Sequence, residues 1–150
     1  MKKALVIILC ALLLSQGIFS VSATEQTDLV YHEETVLENG ITVIDEIRAN
    51  RQSRSTEVVA ERTRTIKSGD TVLSVIAFEA TFRYDGSAVA VVSKTVTRAD
   101  AYEGYIYKQQ SFTSSGSTVT LQGKLTKLLI FNHSFTMSLT CDKNGNLSAA

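Results

Sequence analysis

From Leu129 to Cys141 the chain alternates without a break. Leu129, Phe131, His133, Phe135, Met137, Leu139 and Cys141 fall on one side, and Ile130, Asn132, Ser134, Thr136, Ser138 and Thr140 on the other. Extended backbone turns every second side chain to the same face, so this pattern predicts a strand with one buried and one wetted face. The same period recurs in Thr118–Leu125 and in the stripe Val72, Ile76, Phe78, Ala80, Phe82, Tyr84. No proline occurs in the 150 residues. Proline cannot donate to a strand ladder, so its absence suits a chain that is paired almost throughout.

Turn signals separate these runs. Asp85-Gly86 stands between two alternating segments, and Asn39-Gly40 divides Tyr31–Glu38 from Ile41–Ile47. Such pairs favour the tight turns of β-hairpins. Ser68-Gly69-Asp70 and Ser114-Ser115-Gly116 punctuate the runs on either side of them. About eight strands result, and only Asp45–Arg54 is open to a short helix or a loop. Consecutive hairpins predict an all-β, antiparallel two-layer sandwich, with a meander barrel as the alternative.

The first 23 residues read as a secretory signal peptide rather than fold. Lys2 and Lys3 precede an unbroken apolar run, Ala4–Leu14, and small residues lead to a cut after Ala23. The run is too short to cross a bilayer, which takes about 20 residues. Cys10 lies too close to the start of that run to read as a lipidation site. Residues 24–150 then form a single secreted β domain with no membrane span. The signal holds two lysines and no acid, so 13 basic and 15 acidic side chains remain after it, with Cys141 as the one cysteine. A near-neutral balance lacks the basic excess that nucleic acid requires.

Charge is sorted along the chain. Residues 24–46 hold seven acids and no lysine or arginine, and residues 48–67 hold six bases against two acids. Neighbouring strands of opposite sign would pair across the sheet, each pair contributing roughly 0.2–1 kcal/mol. The alternative is a pair of patches that bind a partner or each other.

Candidate chemistry is sparse. His133 and Cys141 share a strand face but stand eight residues apart, about 26 Å at the rise of a strand, so they form no dyad. His133 reads as a core histidine held by a hydrogen bond. His32 and Glu34 share one face and form a possible polar cluster. No spacing points to a metal site, and Asp142-Lys143-Asn144-Gly145-Asn146 reads as a terminal turn rather than a calcium loop. No cofactor is implied. Tyr102, Tyr105 and Tyr107 make the aromatic cluster most suited to a ligand, either as a stacking platform or as half-buried edge packing.

Two segments carry a resemblance. Thr81-Phe82-Arg83-Tyr84-Asp85-Gly86-Ser87 and Ser138-Leu139-Thr140-Cys141-Asp142-Lys143-Asn144-Gly145-Asn146-Leu147-Ser148 resemble a group of small, Ser/Thr-rich secreted proteins of Gram-positive bacteria. The likeness spans most of residues 65–148. That group has no assigned activity, so the resemblance transfers no catalytic residue. Its members place a second cysteine just after the first segment, where this chain has Ala88, Val89 and Ala90. The resemblance therefore implies a disulfide partner for Cys141 that is missing here.

The expected function is a non-enzymatic module outside the cell that binds a protein or a glycan. The alternatives are a small extracellular enzyme with a hidden site, and a structural protein that self-associates through its strand edges.

Overall fold

In a computed structural model of the chain, the described residues are 27–37, 39–51, 56–128 and 130–149. The signal-peptide reading over residues 1–23 lies outside them, as do Glu38, Arg54 and Leu129. Nine strands follow in order: β1 (Asp28–Val36), β2 (Ile41–Arg51), β3 (Glu57–Ser68), β4 (Thr71–Tyr84), β5 (Val89–Ala101), β6 (Ile106–Ser115), β7 (Thr118–Lys127), β8 (Phe131–Cys141) and β9 (Leu147–Ala149). Strands β1 to β5 form one sheet in chain order, and β6 to β9 form a second, also in chain order. Every pairing is antiparallel. The two sheets do not close on each other, so the architecture is a sandwich and not the meander barrel.

The described part of the segment left open to helix or loop, Asp45–Arg51, is strand. Ile47 and Ala49 of β2 are buried while Arg48 is exposed. The period was masked in the sequence because a charged residue, Asp45, occupies the inner face. A second departure lies in β4. A bulge opposite Ile66/Lys67 leaves Val72 exposed and buries Leu73, which ends the Val72–Tyr84 stripe one step early.

Ile47, Ile66, Ile76, Phe78 and Phe82 from one sheet meet Val119, Leu121, Leu125, Met137 and Leu139 from the other in a dry core. Gly123 holds an inward position of β7 because rings fill its space: a Cβ there would lie 2.6 Å from Tyr107 Cε2 and 2.8 Å from Phe135 Cζ. Long cations of the first sheet also reach backbone carbonyls of the second. Lys94 Nζ donates to Phe112 O at 2.7 Å, Arg51 Nη2 to Gly145 O at 3.1 Å, and Arg62 Nη1 to Ser138 O.

The sorted charges pair between adjacent strands. Asp45 of β2 faces Arg64 of β3, and Glu57 of β3 faces Arg83 of β4. The first pair is buried between the sheets. Arg64 grips Asp45 with two bonds, Nε to Oδ1 at 2.9 Å and Nη2 to Oδ2 at 2.5 Å, and Arg62 Nη2 stands 3.8 Å from Oδ2. Burial pulls the Arg62 guanidinium below its ordinary value, with Asp45 opposing that shift.

Candidate functional site

Residues directly opposite in a ladder share a face. Ile47, Arg62 and Phe78 point inward together, so the neighbouring row of His32, Glu46, Thr63, Ala77 and Arg98 points outward across all five strands. The next outward row runs Glu34, Ile44, Thr65, Val75 and Asp100. Tyr102 follows Asp100 on the same face and is tied to β4 by its amide, which donates to Leu73 O at 2.9 Å. These rows hold an open groove of about 740 Å³. It is lined by Thr63, Thr65, Thr71, Val72 and Val75 together with Glu46, Arg98, Tyr102 and Glu103.

Part of the lining is built as a unit. Arg98 Nε donates to Asp100 Oδ2 at 2.5 Å, Tyr102 donates its hydroxyl to the same oxygen at 3.1 Å, and Arg98 Nη2 donates to the Tyr102 oxygen at 3.2 Å. The Arg98 guanidinium, then the Tyr102 hydroxyl, hold the Asp100 carboxyl below its usual range. The chain then turns sharply from the first sheet to the second. Glu103 and Gly104 both have positive φ, 56° and 76°, and Tyr105 N donates to Tyr102 O at 2.9 Å. Two successive left-handed residues are the mark of a type I′ turn, where asparagine and glycine are usual. Here the first position is a glutamate that lines the groove.

The structure divides the tyrosine cluster. Tyr102 is exposed on the groove, whereas Tyr105 and Tyr107 are half-buried and pack against the core. Tyr105 meets Phe131 edge-on at 5.3 Å between ring centroids, under Lys127 Nζ, and Tyr107 stacks on Phe135 at 6.1 Å. Of the two readings of Tyr105 and Tyr107, edge packing describes their positions; their alternation with exposed Ile106 puts the rings inside. Burial pushes the Tyr107 hydroxyl up.

The polar cluster is also rearranged. His32 and Glu34 share the outward face, but His32 Nδ1 meets Glu46 Oε1, at 3.4 Å, and Glu34 stands opposite Ile44. Glu46 thus links His32 to the groove. Two sequence candidates that seemed unrelated, His32 and Tyr102, lie on one surface. Arg98 and Asp100 share the face of Tyr102 by alternation along one stretch of chain, a signal the sequence carries, whereas their place beside Glu46 and Thr63 depends on strand register.

His133 lies between Phe131 and Phe135, with ring centroids 6.1 and 6.2 Å away. No hydrogen bond to its ring occurs among the described residues, so packing holds it rather than the expected bond. Burial, then the nearby Arg64 charge, push its imidazole below the ordinary 6.5. The unfolded chain therefore takes up this proton first, and stability is lost as pH falls through that ordinary value towards the lower folded one. Urea unfolding at about pH 7 and about pH 5 should show wild type losing stability relative to His133→Gln on acidification. An unchanged difference between the two proteins would contradict this.

Cys141 is buried at the far end of β8, and burial, then Asp142, push its thiol up to about 11. A thiol so held is a small hydrophobe rather than a nucleophile. The Asp142 carboxyl is engaged by its own turn. Oδ1 accepts from the Asn144 and Asn146 amides and Oδ2 from Asn146 Nδ2, each at 2.8 Å. Among the described residues no group of three His, Cys, Asp or Glu could hold a metal ion.

No family model, curated protein or solved structure matches the chain.

Proposed function

We propose that the protein is a non-enzymatic binding module that works outside the cell and takes a hydroxyl-rich ligand, a glycan segment, along the outer face of its five-stranded sheet. The observation that carries this reading is the open groove lined by Tyr102 with its Arg98–Asp100 brace. A fixed, exposed aromatic ring offers a flat apolar face to a sugar ring, and hydroxyls need donors and acceptors beside it. Arg98 supplies donors, Glu46 and Glu103 supply acceptors, and the threonines supply both. Two carboxylates against one guanidinium disfavour an anionic polymer and suit a neutral one. The extracellular setting rests on the leader-like first 23 residues.

The test is a panel of neutral oligosaccharides presented to the folded protein, followed by calorimetric titration of any hit. Binding should weaken about tenfold or more in Tyr102→Ala, a loss of about 1.4 kcal/mol. Tyr107→Phe should bind as wild type does. An empty panel, or a hit indifferent to Tyr102→Ala, would remove the groove from consideration.

A further inference from the structure

Strand edges show where this fold is unfinished. The Cys141 amide donates to Ser117 O on the β7 side at 3.1 Å, and the Asp142 amide donates to Asn146 O on the other side at 2.9 Å. Alternation then turns the even-numbered backbone groups of β8 away from β7. At Thr140 they meet β9, and at Ser138 the carbonyl is taken by Arg62. Strand β9 pairs only with Leu139–Cys141. Among the described residues, the amides and carbonyls of Asn132, Ser134 and Thr136 therefore line an open edge, and all three residues are exposed.

The edges of β1, β5 and β6 are defended. β1 carries Asp28, Glu33 and Glu34 and is broken by a bulge at Leu29/Tyr31. At the seam between β5 and β6, Lys94 holds the Phe112 carbonyl and lies 4.6 Å from the Phe112 ring centroid. Charges and bulges of this kind keep edges from pairing. Phe131–Met137 has no charged side chain and no proline, and β8 has no bulge against β7.

We infer that two copies of this chain join through their β8 edges in an antiparallel, two-fold pair centred on Ser134. The segment is self-complementary in that register. Asn132 of one copy meets Thr136 of the other, Ser134 meets Ser134, and each open amide finds a carbonyl. On the inner face the same register sets His133 beside Phe135 of the second copy. Among the described residues the ladder with β9 ends at Leu139, short of Met137 where the second copy would begin, so the two four-stranded sheets continue into one. The groove takes no part, and the inference stands apart from the proposed ligand.

Sedimentation from micromolar to millimolar protein tests the pair. Wild type should pass from monomer to dimer, with slowed exchange of the Ser134 amide at high concentration. Ser134→Pro removes an amide that faces the open edge and none of the β7 ladder, which is where a strand tolerates proline. It should raise the dimer dissociation constant about tenfold or more, because the two-fold removes two bonds at once. Thr136→Lys, which leaves the backbone intact, should do the same, and Thr95→Lys on exposed β5 should not. A wild type that stays monomeric throughout would overturn the inference. So would a dimer that Thr136→Lys leaves unchanged.

Discussion

Asp45→Ala should destabilise the protein by about 3–5 kcal/mol, as much as truncating a large side chain of the core. Asp45 is 6% exposed and Arg62 is 3% exposed. Removing the carboxylate leaves two guanidinium groups close together between the sheets, with the charge of neither offset by it. The cost comes from that stranded charge more than from the lost attraction. Replacing all three groups, as in Asp45→Leu with Arg62→Met and Arg64→Leu, should therefore recover most of the stability. Glu57→Ala provides the contrast. Its partner Arg83 is exposed in water, and the change should cost less than about 1 kcal/mol. Urea unfolding of the four proteins checks the series, and an Asp45→Ala loss no larger than that of Glu57→Ala would show that the buried cluster contributes little.

Gly145→Ala should cost about 3 kcal/mol and lower the melting temperature by about 10 °C. Two causes add. Gly145 has φ of 82°, a left-handed conformation that disfavours a side chain, and a Cβ there would lie 2.4 Å from Tyr84 Cζ. Gly116→Ala separates them: φ is 56° but nothing lies within 4 Å of the added carbon, so only the backbone cost of about 1 kcal/mol remains. In a Tyr84→Ala background the Gly145→Ala cost should shrink towards that value, since contacting residues are not additive. Thermal melts of these variants test it, and equal costs at Gly145 and Gly116 would show that the ring contact is without effect. The Tyr84–Gly145 contact has a further meaning. The segments 81–87 and 138–148, separated by a third of the chain, meet there, and Gly86 N donates to Lys143 O at 2.9 Å beside it.

The alternation from Leu129 to Cys141 made β8 legible because its inner face is almost wholly apolar. β2 was less so, since Asp45 occupies an inner position and the guanidinium groups of Arg64 and Arg62, on another strand, make it tolerable there. Bulges had the same effect at Val72, where one unpaired residue shifts the face of what precedes it. Sequence could name Tyr102 and His32 as candidates, but it could not join them. Their shared surface depends on the register that sets Glu46 opposite His32 and Val75 opposite Asp100. Tyr105 and Tyr107 looked equivalent to Tyr102 because all three have polar neighbours. The left-handed turn at Glu103-Gly104 divides them, sending the chain on to the other sheet.

The strand order carries a consequence for how the chain reaches this state. In each sheet every strand pairs with the one before it, so each ladder can close over its own short turn. Sandwiches joined by long crossovers must close large loops before distant strands reward them, and they fold slowly for that reason. Here a strand can be recruited as soon as it follows its neighbour, and no X–Pro bond exists to impose a wait of tens of seconds. Docking of the two sheets is the step that must join residues far apart in the chain. The cations that bridge to the carbonyls of Phe112, Ser138 and Gly145 form their contacts at that step.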